Sequence, residues 1–80
     1  MKEIQKAQEV VWYYFTAVRE YMSGDSHSAI KAAYYLGAGS IQAQEYRRSY
    51  KEEKEIMDFF LAVENECNNL YQLLINGEEV

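Results

Sequence analysis

Eighty residues with 49% hydrophobic and 15% aromatic side chains and no proline make one small helical domain, 1–80, and exclude a disordered chain. The formal charge is −5, and the single cysteine, Cys67, excludes an intramolecular disulfide and fits a reducing compartment, with the cytoplasm as the default. The opening Met-Lys-Glu-Ile-Gln-Lys lacks a signal peptide's apolar core, and the run Val10 to Val18 is far shorter than the roughly 20 residues of a spanning helix, so neither secretion nor membrane insertion is expected.

A first helix is predicted over 2–22. Ile4, Ala7, Val11, Tyr14, Val18 and Tyr21 recur at spacings of three and four, the seam of a packed helix. Val10, Tyr14 and Tyr21 flank one side of that seam, and Trp12, Phe15 and Met22 flank the other. The apolar arc then exceeds half the circumference, which calls for a central position in a bundle or for cover by another chain. Within the run, Tyr13 points toward Lys6, Glu9 and Glu20 on the polar side.

Ser23 to Ser28 reads as a turn and a cap, with Gly24 ending one helix and Asp25 or Ser26 capping the next. The second helix is expected over 26–48 with an inner seam of Ala29, Ala33, Leu36, Ser40, Ala43, Tyr46 or Arg47, and Tyr50. Its small residues admit a close neighbour, and Gly37-Ala38-Gly39 is a weak point within one helix. Ser49 to Glu52 matches a capping box, which starts a third helix over 50–76, although helices 2 and 3 are nearly continuous if the box goes unused. Helix 3 shows the clearest face: Ile56, Phe59, Phe60, Val63, Cys67, Leu70, Tyr71 and Leu74, with Gly77 as its end. A thinner second stripe holds Met57, Leu61, Asn68 and Ile75, interrupted by Glu64. The fold expected is all-α, a three-helix up-down-up bundle.

The motifs that carry chemistry are missing. His27 and Asp25 fit a capped turn better than a triad, and Cys67 lies in an apolar seam without a neighbouring base. Gly37 to Gln42 lacks the third glycine and the preceding strand of a dinucleotide loop, no Glu-x-x-His pair offers di-iron ligands, and Glu52 to Asp58 match no calcium loop. The only histidine precedes Arg47 and Arg48, which does not fit a helical Arg-x4-6-His ribonuclease. No catalytic, cofactor-binding or metal-binding residue is expected, and no enzyme.

Charge is unevenly placed: residues 1–51 carry +2 and residues 52–80 carry −7. Glu52, Glu53, Glu55, Asp58, Glu64, Glu66, Glu78 and Glu79, with Asn and Gln between them, set carboxylates along a stiff rod, as a nucleic acid sets its phosphates. Tyr13, Tyr34, Tyr35, Tyr46 and Tyr50 cannot all enter so small a core, and tyrosine anchors interfaces well. The expected partner site is therefore Glu52, Glu53, Glu55, Asp58 and Glu64 with Tyr13, Tyr34 and Tyr35, and the partner a basic nucleic-acid-binding protein.

Small size, acidity, abundant tyrosine and absent chemistry give a profile that resembles phage-encoded and mobile-element inhibitors of host machinery, anti-CRISPR proteins among them. The resemblance implies an inhibitor or regulator acting through its surface. A homodimer is expected through helix 1 and the second stripe of helix 3, at Trp12, Phe15, Met57, Leu61 and Ile75. Two alternatives stand beside it: a self-associating structural subunit, and a nucleic-acid-binding regulator using Arg47, Arg48 and Lys51 with Tyr46 and Tyr50 interleaved. Pairing of the whole basic island, Lys31, Arg47, Arg48, Lys51 and Lys54, with Glu52 to Glu55 is the preferred account of its charges, which leaves direct nucleic-acid binding unexpected.

Overall fold

The computed structural model describes residues 2–24 and 27–77, which form three helices: α1 (Lys2–Met22), α2 (Ser28–Ser49) and α3 (Lys54–Gly77). The chain runs up, down and up, as its periodicity predicts. α1 stops where expected because Gly24 takes a positive φ of 74° and Ser23 turns its amide and hydroxyl back to the Glu20 carbonyl. The proposed caps Asp25 and Ser26 lie outside the described residues, and α2 begins at Ser28, two residues later than expected.

The capping box is not used. Ser49 closes α2 instead of opening α3, its hydroxyl bonding back to the Glu45 carbonyl at 3.3 Å. The Tyr50 amide reaches the carbonyls of Tyr46 and Arg47, so the helix tightens and ends. Glu53 then donates its amide to the Tyr50 carbonyl and receives the Met57 amide, which starts α3 at Lys54. A four-residue turn, Tyr50 to Glu53, thus separates α2 from α3 and excludes one continuous rod.

The central helix is α2, not α1. Both outer helices pack along α2 and meet each other only sparsely, in a layer whose Cα extents are 42 × 22 × 14 Å. Covered on two sides, α2 has no single seam: Leu36 and Ala43 of the predicted seam are buried, together with Ser28, Ala32 and Gly39, while Ala29, Ala33 and Ser40 are only half-buried. Gly37-Ala38-Gly39 continues the helix without a break. At the crossing with α1, a Cβ on Gly39 would stand 2.9 Å from the Tyr13 Cβ and 3.2 Å from the Cys67 Sγ, so all three helices converge there. Tyr13 accordingly packs on α2 instead of pointing away from it.

Two cores lie along the layer. Ala17, Ala32, Leu36, Cys67 and Leu74 form one, with Tyr14, Tyr35, Leu70 and Tyr71 against it. Val10, Ala43 and Phe60 form the other, edged by Val11, Tyr46, Tyr50 and Ile56, with Val63 bridging both. Such thin cores leave much apolar surface outside, including Trp12, Phe15, Tyr21, Ile30, Tyr34 and Ile41. Among the described residues, no helix is long and apolar enough to cross a membrane.

Candidate interaction surfaces

Because α1 and α3 both lean on α2 and barely touch, a groove opens between them. Val11, Tyr14 and Phe15 face Phe59, Ala62 and Val63 across a hollow of about 400 Å³. A second hollow continues it toward the start of α1, between Ile4 and Ala7 on one side and Ile56, Phe59 and Phe60 on the other. Phe59 lines both, so the two hollows adjoin at its ring. Ile4 and Phe15 are 52% and 59% exposed, a large apolar area left in water by α1. The charged residues lining the two hollows are Glu3, Glu55 and Glu66, all carboxylates.

The expected acidic partner site divides in two. Glu52 and Glu53 lie exposed in the turn, and Glu55 lies exposed in the first turn of α3, where the helix dipole favours negative charge. Asp58 is also exposed, and accepts from Lys54 one turn earlier at 2.6 Å. Glu64 faces inward. It is 14% exposed and accepts from Arg47 Nε at 3.1 Å, tying α3 to α2. These two ion pairs differ from the pairing expected between the basic island and Glu52 to Glu55.

The tyrosines separate likewise. Tyr34 is 70% exposed. Tyr35 packs against a core and meets the Trp12 ring edge-on at 5.8 Å, while Tyr13 is half-buried beside Gly39. Trp12, itself exposed, therefore lies along the α1–α2 side, and Phe15 lies in the α1–α3 groove. Met57, Leu61 and Ile75 share the flank of α3 that carries Glu64 and Asn68, the residues bonded to Arg47 and Ser40 of α2. The residues expected to mediate self-association thus lie on three different flanks of the layer.

Tyr46 and Tyr50 belong to a clamp at one end of the bundle. Tyr46 donates to Glu9 at 2.7 Å, Tyr50 stacks on Phe60 with centroids 6.0 Å apart, and Lys6 Nζ lies 5.2 and 5.1 Å from the two tyrosine centroids. The hydrogen bond to the Glu9 carboxylate, then burial and the Glu9 charge, push the Tyr46 hydroxyl from 10.0 up to about 12. Burial, then the charge of Glu66, pushes the Cys67 thiol up to about 11.

Both shifts favour the protonated form in the folded chain. The stability they contribute is complete below the unfolded-chain values and declines as pH rises through the folded ones. Urea unfolding should show stability falling from about pH 9 toward about pH 12. Tyr46→Phe should lower stability at neutral pH by about 0.5–1.5 kcal/mol and flatten the decline between pH 10 and about 12. An unchanged slope would contradict the bond to Glu9.

Among the described residues, no group of three or more His, Cys, Asp or Glu side chains is placed to hold a metal ion. The residues that sequence reasoning missed are the groove's own: Ile4 and Phe59 were read only as core seam, Glu3 was not singled out, and Glu66 was read only as part of a charged row. Only Ile4 among them lies on the wide apolar arc of α1; Phe59 and Glu66 lie on α3, and no spacing singles out Glu3 or Glu66. No family model, curated protein or solved structure matches the chain.

Proposed function

We propose that the protein is a small binding module that acts as an inhibitor or regulator by occupying a basic surface on a nucleic-acid-binding partner in the cytoplasm. The observation that carries this reading is the α1–α3 groove: an apolar floor whose charged lining residues, Glu3, Glu55 and Glu66, are all negative. Apolar burial supplies affinity and the carboxylates select sign, so the complementary ligand is an amphipathic helix with basic edges. Glu52 and Glu53 extend the negative surface from Glu55 around the head of α3, where a partner's phosphate-binding cations would meet them, while Asp58 is paired with Lys54. An inhibitory role accords with the resemblance in size, acidity and tyrosine content to small phage-encoded inhibitors.

The same geometry favours a protein partner over nucleic acid. Tyr46 and Tyr50, which base stacking would require, are engaged with Glu9, Lys6 and Phe60, and Arg47 is held by Glu64.

A labelled helical peptide with a leucine face and lysine edges tests the proposal against the same peptide with glutamate edges. The lysine peptide should bind more weakly as salt rises, and Glu55→Lys with Glu66→Lys should reduce its affinity about tenfold or more. Equal binding of the two peptides would contradict it.

A further inference from the structure

We infer that the outward face of α2 is a self-association surface, on which a second copy of the chain docks its own α2 antiparallel with the crossing at Ala38. Lys31, Tyr34, Ala38, Ile41 and Glu45 recur at spacings of three and four and form one line along α2. Helical periodicity turns that line about half a circumference from the buried Leu36 and Ala43. Four of the five residues are exposed, with Ile41 at 63%, and Ala38 between them is half-exposed.

The charges on the line specify the occupant. Lys31 and Glu45 each stand seven positions from Ala38. An antiparallel two-fold contact sets each Lys31 beside the Glu45 of the other copy and each Tyr34 near its Ile41, while a parallel contact opposes like charges. The hollows alongside are lined by Ala33, Gly37, Ser40 and Asn68, and by Ala29, Ile30 and Ile75, with no charged side chain among their lining residues. An acidic chain meets its own copy here without repulsion, whereas self-contact through the α1–α3 groove opposes glutamates.

Gly37 is the second observation. A glycine weakens a helix, and Gly39 has a reason within the chain, the contact with Tyr13 and Cys67. Gly37 has none: nothing lies within 4 Å of where its Cβ would be. It lines the hollow beside Ala38 and leaves room there for a side chain of the second copy. This surface is independent of the partner groove, and the two can be occupied together.

Sedimentation equilibrium of the full chain tests the inference. The wild type should dimerise, and Ile41→Glu should be monomeric with unchanged helicity by circular dichroism. Lys31→Glu and Glu45→Lys should each weaken the dimer about tenfold at low salt, and the two together should restore it to within about threefold. A wild-type chain that stays monomeric at its solubility limit overturns the inference. So does a dimer that survives Ile41→Glu, or a double variant no tighter than the single ones.

Discussion

Phe60→Ala should lose about 3–5 kcal/mol, while the same change at its neighbour Phe59 should lose less than about 1.5 kcal/mol and abolish binding of the lysine-edged peptide. The two rings stand 5.4 Å apart on α3, yet they have opposite roles. Phe60 is 1% exposed and fills the core of Val10 and Ala43, with Tyr46 and Tyr50 closing over it. Removing it leaves a cavity that a layer of three helices cannot close without parting α2 from α3. A chain of this length has roughly 4–12 kcal/mol of total stability, so the loss is about a quarter of it or more, and the urea midpoint should fall well below that of the wild type. Phe59 is 39% exposed and lines the groove, so it buries less on folding than Phe60 and leaves no enclosed cavity when truncated. Urea titration separates the stability effects, and a loss below about 1 kcal/mol at Phe60 would contradict the packing described for that end of the bundle.

Gly39→Ala should destabilise the chain by a net of about 0–2 kcal/mol, even though alanine in place of a helical glycine ordinarily stabilises by about 1 kcal/mol. The added methyl would stand 2.9 Å from the Tyr13 Cβ, close to the α1 backbone, and 3.2 Å from the buried Cys67 sulfur. Neither neighbour can swing aside, so α1 and α3 must both back away from α2, an overpacking cost of about 1–3 kcal/mol. Gly39→Val should lose more still. A gain of stability in Gly39→Ala, measured by thermal or urea unfolding, would show that the helices do not converge at that point.

The extents of the outer helices and the inner face of α3 were legible in the sequence, because Ile56, Phe60, Val63, Cys67 and Leu74 announce themselves by spacing and Gly24 marks an end through its backbone conformation. The inner face of α1 was not: Val10 and Ala17 are buried, whereas Ile4 and Tyr21 of the expected seam are more than half exposed, because the wide apolar arc hides which side meets α2. The central helix was not legible, because α2 packs on both sides and small residues such as Ala32, Gly39 and Ala43 carry its contacts without a periodic apolar signal. The start of α3 was misread at Ser49, where the hydroxyl found the Glu45 carbonyl of its own helix before any downstream amide. At the candidate site, the count of carboxylates was legible and their direction was not. Glu64 is drawn inward by Arg47, while Glu3, far away in sequence, joins Glu55 at the groove.

Chemical-shift mapping of the isotopically labelled chain during titration with the lysine-edged peptide tests the central claim most directly. The groove predicts perturbations concentrated at Ile4, Val11 and Phe15 of α1 and at Glu55, Phe59 and Ala62 of α3. Perturbations centred on Arg48 and Lys51, or none at saturating peptide, would contradict it.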